Sequence, residues 1–90
     1  MSVVLAQDTV LDVLCYPDNI LNKGKGLYRP TLDKRLYRKG DVFTGVDTRA
    51  NLGYFTAYEV NGLNIISEFS QDCEIHIPIN FLEDLPENLS

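Results

Sequence analysis

Residues 36–69, LYRKGDVFTGVDTRANLGYFTAYEVNGLNIISEF, decide the fold, because runs of Val, Ile, Phe, Tyr and Thr are broken there at strand-length intervals by turn residues. The stretch predicts three successive β-strands: Asp41 to Val46, Tyr54 to Val60 and Leu63 to Phe69, with a polar connection over Asp47 to Gly53. The sharpest signal is Asn61-Gly62, set between Tyr58 and Val60 on one side and Leu63, Ile65 and Ile66 on the other. A type I′ turn needs positive φ at both central residues, which Asn and Gly tolerate, and its twist matches that of the strands it joins.

Upstream, Val10 to Tyr16 alternates as a strand, with Leu11, Val13 and Cys15 on one face, and Pro17-Asp18-Asn19 ends it with turn chemistry. Residues 2–9 read either as a strand or as a helical turn, since Val3, Ala6, Val10 and Leu14 also form a helical stripe. From 22 to 40 the sequence predicts a long ordered basic loop, with one short strand at Gly26 to Tyr28. Downstream, Ser70-Gln71-Asp72 is a turn. Glu74 to Ile79 is a strict period-two strand with Ile75, Ile77 and Ile79 inward. Asn80 to Leu85 makes a turn and a last strand, and the tail from 86 is expected to fray. The expected core is Leu11, Val13, Val42, Val46, Phe55, Leu63, Ile65, Ile75, Ile77 and Phe81.

Ninety residues make one domain, and 44% hydrophobic residues suffice for a packed core. Five or six short strands in that length curl into a barrel or a strongly bent antiparallel sheet, so the class is all-β. No apolar run approaches the roughly 20 residues of a membrane span, so no membrane partner is expected. The N-terminus has no Lys or Arg before its apolar residues and reads as a poor signal peptide, which makes the cytoplasm the expected location. Cys15 and Cys73 are accordingly expected to be reduced, as small core hydrophobes. Cys73-x-x-His76, even with Cys15, leaves a tetrahedral zinc set incomplete, so neither metal nor cofactor is expected.

Charge is segregated. All eight Lys and Arg lie between 23 and 49 against three acids, which leaves that segment at +5 within a chain of net charge -5. Its candidate binding residues are Lys23, Lys25, Tyr28, Arg29, Lys34, Arg35, Tyr37 and Arg38, with the tyrosines placed as stacking platforms. A domain acidic overall repels polyanions at long range, so the first expectation is a protein-facing surface, and nucleic-acid binding through 23–39 is the alternative. His76 is the only His, and no Gly-rich phosphate loop or nucleophile elbow accompanies it; no enzyme is expected.

The order of motifs carries a resemblance over residues 36–85. Arg38-Lys39-Gly40-Asp41-Val42-Phe43, Gly53-Tyr54-Phe55-Thr56-Ala57-Tyr58, Asn61-Gly62 and Ile77-Pro78-Ile79-Asn80-Phe81-Leu82-Glu83 succeed one another as in SH3-like barrels, including small ones of phages and mobile elements. Those often open with a V-x-C strand like Val13-Leu14-Cys15. The resemblance implies the barrel; the expected function, for which the segregated charge is the discriminating feature, is a non-enzymatic interaction module that binds or inhibits a partner protein or assembles with itself, such as an accessory protein of a phage or mobile element. There is no Trp and no ALYDY-like stretch, so no proline-rich groove is carried over.

Overall fold

The computed structural model describes residues 1–16, 31–69 and 72–84. Among them run β1 (Ser2–Leu5), β2 (Thr9–Tyr16), β3 (Thr31–Tyr37), β4 (Val42–Val46), α1 (Arg49–Leu52), β5 (Tyr54–Val60), β6 (Leu63–Asn64), α2 (Ile65–Phe69), β7 (Asp72–Pro78) and β8 (Leu82–Asp84), with a 3-10 turn at Ile79–Phe81 before the last strand. All pair antiparallel in one sheet, in the order β3-β2-β7-β5-β4-β1-β8, with β6 attached to β5. The all-β class is therefore the observed one. Among the described residues the strand count is eight rather than five or six, because residues 2–5 are a strand and the stretch expected as a basic loop contains another at 31–37. The short strand expected at Gly26 to Tyr28, and the tail from 86, lie outside the described residues.

The sheet bends around one core. Val3 and Leu5 of β1, Leu11, Val13 and Cys15 of β2, Phe43 of β4, Phe55 and Ala57 of β5, and Cys73, Ile75 and Ile77 of β7 meet there, joined by Tyr37 and Ile65. Period-two alternation puts these residues on one face of each strand, and burial of that face is the main driving force. Six of the expected core residues are buried: Leu11, Val13, Phe55, Ile65, Ile75 and Ile77. Val42 and Phe81 are half-buried. Val46 and Leu63 are corrections, since both are exposed. In β4 it is Phe43 that points inward, edge-on to the Tyr37 ring at 5.3 Å, so Val42 takes the opposite face. Between Thr44 and Gly45 a bulge then shifts the register by one against β5, and Val46 emerges in solvent.

The second correction concerns 63–69, read as a strand. Only Leu63 and Asn64 pair with β5, at Val60 and Glu59. The Asn64 side-chain oxygen then accepts the Ile66 backbone N–H at 2.9 Å, which caps a one-turn helix and overrides the β-branched preference of Ile65-Ile66. Burying Ile65 fixes that turn against the core.

The turn at Asn61-Gly62 is as expected, with φ of 52° and 85°. Asn61 also ties it to the Lys39-Gly40-Asp41 turn: its side-chain oxygen accepts the Val42 N–H at 2.9 Å, and its amide donates to Asp41 at 3.3 Å. A Cβ at Gly62 would meet open space, so the cost of Gly62→Val is backbone strain alone. That cost should be about 1 to 3 kcal/mol, read as a lower denaturant midpoint at unchanged slope. A wild-type midpoint would contradict the turn.

The cysteines are a third correction. Cys15 and Cys73 form a disulfide, with Cα atoms 4.0 Å apart. The sequence offered no register, whereas the structure pairs β2 and β7 so that Cys15 lies directly opposite Cys73.

Candidate interaction surface

Because Leu11, Val13 and Cys15 face the core, Val10, Asp12, Leu14 and Tyr16 must face outward. Register extends this outer face across the neighbouring strands. On β3, Leu36 lies opposite Val10, Lys34 opposite Asp12 and Leu32 opposite Leu14. On β7, His76 lies opposite Asp12 and Glu74 opposite Leu14, and His76 in turn faces Thr56 of β5.

The inner half of this surface is a closed polar cluster. Tyr16 donates its hydroxyl to Glu74 Oε1 at 2.9 Å, and Glu74 Oε2 lies 2.6 Å from His76 Nε2. The His76 ring stacks on Tyr54 at 4.1 Å between centroids. His76 is thus half-buried and held on one nitrogen and one ring face, which is a structural arrangement. Next to it, burial, reinforced by the negative charges of Glu74 and Asp72, raises the Tyr58 pKa. A depression of about 410 Å³ beside the cluster is lined by Val10, Asp12, Lys34, Tyr54, His76 and Pro78.

The outer half is apolar and exposed. Val10, Leu32 and Leu36 show 57%, 62% and 52% of their surface to solvent; Val10 adjoins Leu36 across the two strands, and Leu32 lies opposite the half-buried Leu14 two pairs further along. Between them Lys34 Nζ is 2.7 Å from Asp12, a pair open enough to water to contribute little stability but enough to neutralise the middle of the ribbon. Among the described residues nothing pairs with the far edge of β3, which ends the sheet.

The candidate residues fare unevenly. Lys34 lies on the outer face. Arg35, the next residue in the strand, takes the opposite face, where it stands against Leu11. Arg38 and Lys39 are exposed in the turn after β3, with their backbone N–H groups donated to the carboxylates of Asp41 at 3.0 Å and Asp8 at 2.8 Å. Tyr37 is a correction, because it is 6% exposed and belongs to the core instead of a stacking surface. Lys23, Lys25, Tyr28 and Arg29 lie outside the described residues. The sequence does not reveal these apolar patches, since Leu32 and Leu36 fall in the basic stretch that reads as a loop and Val10 at the start of a strand. Their one signal is the period-two spacing of Leu32, Lys34 and Leu36.

In the connection after β4, Asp47 accepts the Arg49 guanidinium at 2.9 and 2.8 Å and its backbone N–H at 3.1 Å. Those bonds hold its pKa down at about 2 and fix the start of α1. Among the described residues no group of three or more His, Cys, Asp or Glu is arranged to hold a metal ion, and no helix is long and apolar enough to cross a membrane. No protein-family model, curated protein or solved structure matches this chain.

Proposed function

We propose that this chain is a non-enzymatic protein-interaction module and that its contact surface is the outer face of the β2–β3 ribbon. The observation that carries the reading is the pair of exposed apolar patches, Val10 with Leu36 and Leu32 beside Leu14, on either side of the neutralised Lys34–Asp12 pair at a sheet edge that no described strand covers, since exposed apolar surface set among polar groups is what protein contacts cover. The SH3-like order of motifs supports the same class of function. Nucleic-acid binding through 23–39 is the second reading. Against it, Lys34 and Arg35 project from opposite faces of one strand, Asp12, Asp41 and Asp8 lie beside the cations, and Tyr37 is buried. The disulfide favours an oxidising compartment over the cytoplasm expected from the sequence, because cytosolic thiols are kept reduced.

Neutralising Lys34, Arg35 and Arg38 together to Gln decides between the two readings. Short duplex and single-stranded probes at about 50 mM salt, a condition that favours phosphate contacts, should show no retention by wild type. Micromolar or tighter retention that disappears in the triple variant would overturn the protein-binding reading.

A further inference from the structure

We propose that the edge of β3 that no described strand pairs with lies antiparallel against the same edge of a second copy of this chain, about a two-fold axis through Lys34. This names the partner of the surface proposed above and rests on that reading.

Backbone direction comes first. The 4.0 Å spacing of Cys15 and Cys73 is that of an antiparallel pair that exchanges no backbone bonds, so the N–H and C=O of Cys15 point away from β7 and toward β3. Alternation along the ladder then turns the backbone groups of Thr31, Asp33, Arg35 and Tyr37 toward β2, and those of Leu32, Lys34 and Leu36 out over the far edge. The Lys34 N–H agrees with this, since it is held at 2.9 Å by the carboxylate of the preceding Asp33 and not by β2. Three consecutive outward positions make a ready template for another strand.

The side chains then choose the strand. In TLDKRLY, residues 31–37, Leu32 and Leu36 are equidistant from Lys34, and so are Asp33 and Arg35. Antiparallel pairing centred on Lys34 sets Leu32 against Leu36 of the second copy and Asp33 against Arg35, each twice by symmetry. Backbone bonds form at Leu32, Lys34 and Leu36, and the opposite charges occupy the closer side-chain positions between them. A shift of one residue in either direction sets a leucine against a charged residue, so the register is specified. On the outer face, Val10 and Leu36 of one copy continue into Leu32 of the other, so that the apolar patches of the two copies pack side by side across the new strand pair. Lys34 meets its own copy at the axis, and a lysine there ordinarily deters pairing. Here each ammonium is drawn back over its own Asp12, which cancels its charge.

Sedimentation across the micromolar range tests this on the whole chain. Wild type should form a reversible dimer, and Asp33→Arg or Arg35→Asp alone should weaken it by about tenfold or more, because like charges then face each other twice. The double reversal restores opposite charges and should recover the wild-type affinity. If either reversal melts far below wild type, Leu32→Pro carries the test: its N–H lies on the far edge, so the monomer loses no ladder bond while the dimer loses two. A wild type that stays monomeric, a dimer indifferent to both reversals or to Leu32→Pro, or a well-folded double reversal that stays weak would each overturn self-pairing. A monomeric wild type leaves the ribbon as a surface for a different protein, whereas the nucleic-acid result described above would overturn the broader reading, so the two failures are distinguishable.

Discussion

Gly45→Ala is expected to lower the stability of the fold by about 3 kcal/mol or more, an unusually large effect for one added methyl group. The reason lies in the bulge. A Cβ at residue 45 would stand 2.0 Å from the carbonyl oxygen of Thr56 and 2.8 Å from the Ala57 Cα, both backbone atoms of β5. No side-chain rotation relieves such a contact. The two strands must separate, and the ladder from Gly45·Ala57 to Val46·Thr56 separates with them. For a domain of this size the melting temperature should fall by roughly 10 to 25 °C. Circular dichroism on heating measures it, and a midpoint within a degree or two of wild type would mean that β4 and β5 do not approach so closely.

Opening the Cys15–Cys73 bond should be comparably costly. The residues it joins are 58 apart in sequence, and closing a loop of that length in the unfolded chain is worth about 4 kcal/mol in the chain-entropy account. Cys15→Ala/Cys73→Ala should therefore melt well below the oxidised wild type and close to wild type held in reductant. Alanine is the better replacement because both positions are buried, where a serine hydroxyl would need a partner. Identical melts for the oxidised protein and the double variant would remove the bond from the account of stability.

The class of the fold was legible wherever local chemistry and periodicity agreed. Asn61-Gly62 announced its own turn, and the alternation of Ile75, Ile77 and their neighbours gave β7 and its inward face. What the sequence withheld were facts about pairs. Whether Val42 or Phe43 turns inward depends on the Tyr37 ring waiting across the core, and the bulge at Gly45 depends on how closely β5 approaches. The helix after Asn64 was hidden because one side-chain cap outweighed two β-branched residues. The disulfide was hidden because compartment was inferred from residues 1–10, while the bond depends on register alone. For the site, charge was the visible signal and apolar exposure the invisible one. The basic run points to Lys34 and Arg35, yet only the pairing of β3 with β2 shows that they part to opposite faces and that Val10 meets Leu36 and Leu14 meets Leu32 on the outer one.

The position of β1 between β4 and β8 sets the order in which the domain can be completed during synthesis. Val3 pairs with Phe43 on one side and with Asp84 on the other. As the chain is made, β1, β4 and β5 can assemble once residue 60 has left the ribosome, but β2 has no β7 to lie against and Cys15 has no thiol to meet until residues 72–78 follow. At roughly 5 to 20 residues per second, β2 therefore waits on the order of seconds with an apolar face uncovered. Pairing across such sequence distances is also intrinsically slow. A chain cut short before β7 would keep that face open permanently, which makes the early, incomplete chain, and not the finished domain, the species most prone to stick to others.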